Sequence, residues 1–497
     1  MAKGFRVTVK TLHSEVTGSA FILKIKRPGE ISRKVLIDFG GYQEEKYEAF
    51  NGALEFEPSE IDAVIVTHSH LDHIFKLPLL HKNGYLGNIY CSKGASLSIP
   101  ISLRDSVKVM ITEYEKYRKP VIYALKDVVR TVEHLTPVGY GKTKEIIPGV
   151  KMTLLENGHL YGAACILLQI SCKNYPTMNY LFTGDFYLTN ELFSVAPFPE
   201  FVYELRNLSI FIESTYADTK SDEVSKNFDK YLLEAVQKKH FIVIPSIAQE
   251  RLELVLLRLK ILQDCKLLDL SIPIYIHSEL GKQYYQIVYS GKEFVEYMPK
   301  NCKFIEKGDY ETVIKDSSKP KILLASSGMA DKGNIMFYLT KVVSDPAATI
   351  LFTCYQGRNT LGFKIKNSNI GDDIFINGKP HKRLCDVKYT SQFSHHIKQD
   401  ESIELLSRFH YLKNIFINHG EERKKVLLND IFQKIYPDKG VFTMNRNIGY
   451  RISATDGVTS YETSLPSVSY YKTQTKQYNK FKRITKKRDF KKRHYNY

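Results

Sequence analysis

No apolar stretch of this chain is long enough to span a bilayer, and the opening residues Met1 to Arg6 lead into no hydrophobic signal-peptide core. Those two absences predict an intracellular, cytoplasmic protein without a membrane partner. Cysteine is sparse: the seven residues are scattered, odd in number and form no C-x-x-C pair. A disulfide framework and a cysteine zinc site are thereby excluded, and most of the thiols read as small core residues. Acidic residues are outnumbered, 54 against 71 Lys and Arg, and the formal net charge of +17 predicts a polyanionic partner. Internal repeats are lacking and low complexity is confined to the C-terminus, where Tyr461 to Tyr497 hold eleven Lys or Arg and two acidic residues. The run from Lys480 to Arg493, interleaved with Phe and Tyr, suits phosphate contacts with base stacking, and suits a disordered solubilising tail equally well.

What is present is 497 residues, 43% of them hydrophobic, enough for two or three domains with their own cores. The most informative segment is His68-Ser69-His70-Leu71-Asp72-His73, directly after the short β-branched run Ile61 to Val66. Such a run reads as a buried strand that delivers the histidines on a turn. Imidazole and carboxylate suit zinc. If the backbone turns between them, His68 and His70 face one ion, and Asp72 and His73 face another.

Several other apolar runs also end in polar residues. Lys34 to Ile37 ends in Asp38, Asn179 to Phe182 in Thr183-Gly184-Asp185, Leu208 to Ile212 in Glu213, and Asn414 to Ile417 in Asn418-His419. Functional groups gather where strands of a layered α/β fold end, so these ends predict one shared site. After Tyr216 the pattern changes: Ser221 to Lys239 reads as helix, Phe241 to Ile244 as strand, and Ala248 to Gln263 as a strongly amphipathic helix. Ile272 to Ile276, Lys321 to Ala325 and Thr349 to Phe352 read as further strands of a parallel sheet. Because His419 lies beyond this region, the region reads as an insertion. His159, in Asn157-Gly158-His159, and Asp185 complete the candidate ligands, each weak alone and stronger beside the six-residue run.

Together these segments resemble the metallo-β-lactamase superfamily, and within it the β-CASP ribonucleases of prokaryotes, relatives of the cleavage and polyadenylation endonuclease. The resemblance runs through the His68 to His73 segment, Gly158-His159, Thr183-Gly184-Asp185, Glu213-Ser214-Thr215-Tyr216, Ala325-Ser326-Ser327-Gly328, Phe393-Ser394-His395-His396 and Asn418-His419-Gly420-Glu421. It implies an α/β fold: a metallo-β-lactamase αββα sandwich in two parts, 1–208 and 389–455, around an inserted α/β β-CASP domain at 209–388. A basic, disordered tail at 456–497 stands outside it. It also implies two Zn2+, one held by His68, His70, His159 and Asp185, the other by Asp72, His73, Asp185 and His419. Asp72, Glu213 and His396 are the catalytic candidates, with Glu213 charging a His396 that protonates the leaving oxygen. Asp38 would orient a ligand histidine, and Ser326, Ser327 and Gly328 would cradle a substrate phosphate.

The implied activity is a zinc-dependent ribonuclease acting on single-stranded RNA, within the strand or from an end. A histidine at position 419 accompanies RNA substrates in this family. A DNA nuclease of the same fold, with DNA as partner, is the first alternative, and an inactive nucleic-acid-binding scaffold the second. The sequence leaves open whether the chain acts alone or as a homodimer. Three departures from the family pattern fall near the cleft: Phe75-Lys76 and Glu250 replace an expected Gly, as does Ala217.

Overall fold

Alternating side chains build the first layer of the computed structural model, which describes residues 4–13, 15–306 and 308–463. In Arg6–Thr11, Val7 and Val9 are buried while Arg6, Thr8 and Lys10 remain partly exposed, and Phe21–Lys26 repeats the pattern with Phe21, Leu23 and Ile25. These strands lie inside an eight-stranded sheet ordered Gly457–Glu462, Ile448–Ser453, Arg6–Thr11, Phe21–Lys26, Arg33–Ile37, Ala63–Ile65, Ile89–Ser92 and Leu135–Val138. A seven-stranded sheet faces it, ordered Gly440–Thr443, Leu412–Asn418, Leu208–Glu213, Tyr175–Phe182, Ala164–Cys172, Val150–Glu156 and Thr143–Ile147. Val7, Leu23, Val35 and Ile65 from one sheet meet Met152, Leu168, Tyr180 and Phe211 from the other in a shared core. The helices Lys93–Tyr117 and Leu125–Glu133 cover the outer face of the first sheet, and Gln399–Ser407 and Glu422–Ile435 cover that of the second. The layers are therefore αββα, as the resemblance implies.

An aromatic ladder sets the register of the second sheet. Phe182, Phe211, Phe416 and Phe442 are directly paired across four parallel strands. Their rings stack at centroid separations of 4.2, 4.5 and 5.0 Å. Because the phenylalanines align, the strands end together and deliver Asp185, Glu213 and His419 to one place.

The insertion carries a six-stranded, wholly parallel sheet ordered Cys302–Phe304, Ile274–His277, Lys321–Ala325, Phe241–Pro245, Ala348–Phe352 and Asp386–Tyr389. Cores on both faces match the continuous apolar character of its strands.

Several expectations need correction. Leu208–Glu213 is a central strand of the sandwich, so the first part of that domain extends through Glu213 and does not stop at 208. The expected tail begins too early, since Gly457–Glu462 pairs antiparallel with Ile448–Ser453 as an edge strand. The basic run from Lys480 lies outside the described residues. The expected helix at 221–239 is a short 3-10 turn, Ser221–Glu223, followed by Phe228–Gln237. The next helix begins at Arg251, not Ala248, and buries Leu252, Leu254, Val255, Leu256 and Leu259, so it packs on more than one side and is not strongly amphipathic. Among the described residues no helix is long and apolar enough to cross a membrane. Cys91, Cys165, Cys354 and Cys385 are buried, and all seven cysteines are free thiols.

Candidate metal centre

The strand Ala63–Ile65 ends just before Thr67, and the chain stays extended through His70, which is the N-cap of the one-turn helix Leu71–Ile74. This change to helical backbone separates the His68–His70 pair from the Asp72–His73 pair. Backbone bonds clamp the turn: Ser19 N–H donates to Asp72 O at 2.8 Å, Phe39 N–H to His73 O at 2.8 Å and Gly41 N–H to Leu71 O at 3.0 Å. Gly40 lies against the same turn, and a Cβ there would sit 1.6 Å from the Asp72 carbonyl oxygen. Only glycine permits that approach.

Two four-residue groups of side chains converge on Asp185, and a smaller one joins it to Glu213 and His396. His68, His70, His159 and Asp185 form the first, and Asp72, His73, Asp185 and His419 the second; within each, the donor atoms all lie within 4.8 Å of one another. Asp185 divides its carboxylate between them. Its Oδ1 is 3.2 Å from His73 Nε2 and 3.0 Å from His419 Nε2, while its Oδ2 is 3.8 Å from His68 Nε2 and 3.7 Å from His159 Nε2. The structure thus gathers all seven residues singled out in the sequence.

Hydrogen bonds outside the cluster orient the rings. Asp38, at the end of Arg33–Ile37, accepts from Thr67 N–H, Thr67 Oγ1 and His73 Nδ1, each at 2.8 Å. His159 Nδ1 lies 2.6 Å from the His395 carbonyl, an arrangement that makes Nδ1 the donor. In a neutral ring the lone pair then sits on Nε2, for His73 as for His159. His70 Nδ1 is 3.2 Å from both His68 Nε2 and His159 Nε2. Burial pushes His68 and His159 well below the ordinary histidine range and His70 down to about 4. Three neutral imidazole nitrogens aimed at one another in a buried space, beside an Asp185 carboxylate, are a donor set that suits a divalent metal. In the second group, burial acts against charge on His73 and His419, but the Asp185 carboxylate outweighs it and raises both. Asp185 itself is held well below the carboxylate range, burial being overcome by His419 and His73. His73 Nε2 and Asp185 Oδ1 are buried without a well-formed hydrogen bond, as atoms reserved for a cation would be.

Beside this cluster, both oxygens of the buried Glu213 accept from His396 Nδ1, at 2.9 and 3.0 Å, and Oε1 also accepts from Phe186 N–H at 2.6 Å. His396 is partly exposed and lies 4.7 Å from His159, ring centre to ring centre. His395 points elsewhere, towards Glu191 at 2.8 Å and Glu250 at 3.3 Å. Burial opposes its protonation, yet these two carboxylates hold it up at about 9. The Ser326–Gly328 loop follows the strand Lys321–Ala325. There the Ser327 hydroxyl donates to Lys332 O at 3.0 Å, and Gly328 packs against Cys354 and Ile247.

Sequence reasoning missed four participants. Thr67 joins Asp38 to the metal turn. Asn157 donates to the carbonyls of Thr183 at 3.1 Å and Asp185 at 2.7 Å and accepts from His159 N–H at 2.9 Å, locking two ligand loops together. Its place before Gly158-His159 was the available signal. Gln249 and Asn190 had none, because their partners lie far away in sequence.

Three family models match the chain in order: the metallo-beta-lactamase superfamily over residues 18–150, the Beta-Casp domain over 252–365, and the Zn-dependent metallo-hydrolase RNA specificity domain over 380–434. The chain is 28% identical over 446 residues to transcription termination factor FttA of Methanococcus maripaludis, covering 83% of this chain and 67% of that one. It is 28% identical over 433 residues to a ribonuclease of Thermus thermophilus, covering 84% and 93%. A probable RNase of Methanocaldococcus jannaschii is 28% identical over 415 residues, covering 80% and 90%. The chain therefore spans about two thirds of the length of that termination factor and nearly all of the two ribonucleases.

Proposed function

Since the chain belongs to the β-CASP family of the metallo-β-lactamase superfamily, with all three of its characteristic regions in order, we propose that it is a zinc-dependent ribonuclease that hydrolyses phosphodiester bonds in single-stranded RNA. The observation that carries this reading is the division of the Asp185 carboxylate between two complete donor sets. Support for RNA comes from the RNA specificity region and from two relatives named as ribonucleases.

His68, His70, His159 and Asp185 would hold one Zn2+, and Asp72, His73, Asp185 and His419 the other. Bound there, a zinc pair supplies a water acidified towards a pKa of about 7 and positive charge beside the scissile phosphate. The chain's own residues then govern the protons and the geometry. Asp72, in the first turn of its helix, would supply the carboxylate that orients the attacking water. Glu213, accepting from His396 Nδ1, fixes that ring so that a proton on Nε2 can pass to the departing oxygen. Asp38 and the His395 carbonyl would hold the single proton of a neutral His73 or His159 ring on Nδ1, leaving Nε2 to face the metal. The Ser326–Gly328 loop, after the strand Lys321–Ala325 of the inserted domain, would cradle a substrate phosphate.

The test is cleavage of end-labelled RNA and of DNA of matched sequence by full-length protein with measured zinc content. Two equivalents of zinc and preferential RNA cutting are expected, with Asp72→Ala abolishing cleavage while RNA binding persists. Faster cutting of DNA, or activity of Asp72→Ala protein stripped of metal, would defeat the proposal.

A further inference from the structure

Residue 250, where a glycine is expected, sits at φ 66° and ψ −50°. Arg251 N–H donates to Gln249 O at 2.8 Å, closing a three-residue turn centred on Glu250. This is the strained γ-turn that side-chain-bearing residues rarely adopt. Strain of this kind persists where surrounding contacts hold it. Here the Gln249 and Glu250 side chains are buried, and both engage the sandwich domain.

Gln249 Nε2 donates to Ser69 Oγ at 2.8 Å, and Ser69 lies between His68 and His70. The Ser69 carbonyl accepts from Ser102 Oγ at 3.0 Å, which in turn lies 2.6 Å from the Tyr284 hydroxyl of the insertion. Glu250 accepts from His395 Nδ1 and from Asn190 Nδ2. Asn190 also donates to Gly158 O at 2.9 Å, next to His159, and the His395 carbonyl takes the His159 Nδ1 proton. All three histidines of the first group are thus keyed to one turn of the inserted domain. The second group is anchored differently. Asp38 and Thr67 hold His73, Phe39 N–H donates to the His73 carbonyl and Ser19 N–H to that of Asp72, all from the sandwich, and Ser214, directly after the strand Leu208–Glu213, donates its N–H to His419 O at 3.1 Å. Thr67 Oγ1 also lies 3.0 Å from His68 Nδ1, so the sandwich supports one histidine of the first group as well.

We infer that the Gln249–Glu250 turn is a positioning element for the first metal group alone, so that the seating of the inserted domain sets the affinity of one zinc and leaves the other unchanged. The inference rests on the two-metal reading above. It deepens that reading by making the site unequal: one ion belongs to the sandwich, and the other to the junction. Any movement that lifts the insertion away from the cleft loosens His68, His70 and His159 together, while Asp72, His73 and His419 keep their supports.

Full-length protein loaded with two equivalents of Zn2+ and dialysed against stepped chelator tests this, with retained zinc counted by mass spectrometry. Glu250→Gly, which relieves the backbone while removing the carboxylate, and Gln249→Ala are each expected to release one equivalent at about ten-fold lower chelator and the other at the wild-type concentration. In a His419→Ala background, which retains the first group, Glu250→Gly should weaken the remaining ion. In a His159→Ala background, which retains the second group, it should have no effect. Equal weakening of both ions, or no change in either variant, overturns the inference. A wild-type protein that does not retain two equivalents refutes the two-metal reading itself. Should Glu250→Gly fail to fold, Gln249→Ala carries the test alone, because it removes only a side-chain amide.

Discussion

Asp38 and His73, thirty-five positions apart, meet through an Oδ2 to Nδ1 hydrogen bond of 2.8 Å in which both side chains are buried. The bond fixes the tautomer of His73 and turns Nε2 towards Asp185. Replacing Asp38 with Ala should lower zinc affinity at the second group by 10- to 100-fold, roughly what loss of such a partner costs elsewhere. Zinc titration of the variant and its RNA-cleavage rate should fall together, while zinc at the first group stays bound.

Glu213 and His396 make a different prediction, because neither is needed to hold metal in the proposed scheme. His396→Ala should reduce kcat by about 100- to 10,000-fold with both zincs retained. A substrate whose leaving group needs no proton, such as a nitrophenyl phosphodiester, should lose far less. An equal loss on both substrates would mean that His396 does not act as the acid. Glu213→Gln should follow His396→Ala in direction, with a smaller effect.

Gly40 has no room for a methyl group, since its Cβ would collide with the Asp72 carbonyl. Gly40→Ala must therefore push the Leu71–Ile74 turn outward. The expected result is a protein several kcal/mol less stable, in the range of severe core substitutions, with weakened zinc binding at the second group. Thermal melting and zinc content, measured on the same preparation, check both consequences.

Lys76 offers a test by pH. Its amine is buried, 4.5 Å from the Phe39 ring centre and near the Glu55–Arg446 ion pair, and burial pushes it down to about 8 from 10.5. Between those values the unfolded chain carries a proton that the folded chain lacks. Unfolding then takes up a proton, so rising pH favours the folded state. The gap corresponds to roughly 3 kcal/mol. Lys76→Met should remove this dependence: its stability relative to wild type should be highest below pH 8 and decline steadily towards pH 10.5. Denaturant midpoints across that range would expose a parallel pair of curves if the lysine does not titrate as described.

The ligand cluster was legible in the sequence because imidazoles and carboxylates followed short apolar runs, and each such run became a strand with a definite end. Lys321–Ala325 came out with the expected bounds for the same reason. Glu250 was visible only as a departure from glycine. Its role depends on a γ-turn and on His395, 145 positions away, and neither leaves a local pattern. Gly457–Glu462 was read as tail because an edge strand with mostly polar side chains has no apolar alternation. Its neighbour Ile448–Ser453 supplies the pairing that its own residues do not announce. His395 and His396 are neighbours in the chain, yet the structure gives them separate partners: Glu213 for His396, Glu191 and Glu250 for His395.

Six of the seven candidate ligands, Asp185 among them, precede the insertion in the chain, whereas His419 follows it, as does His396. A polypeptide emerging from the ribosome therefore possesses the first donor set long before it possesses the second. The second set closes only when the strand Leu412–Asn418 folds back beside Leu208–Glu213 and brings the last histidine home.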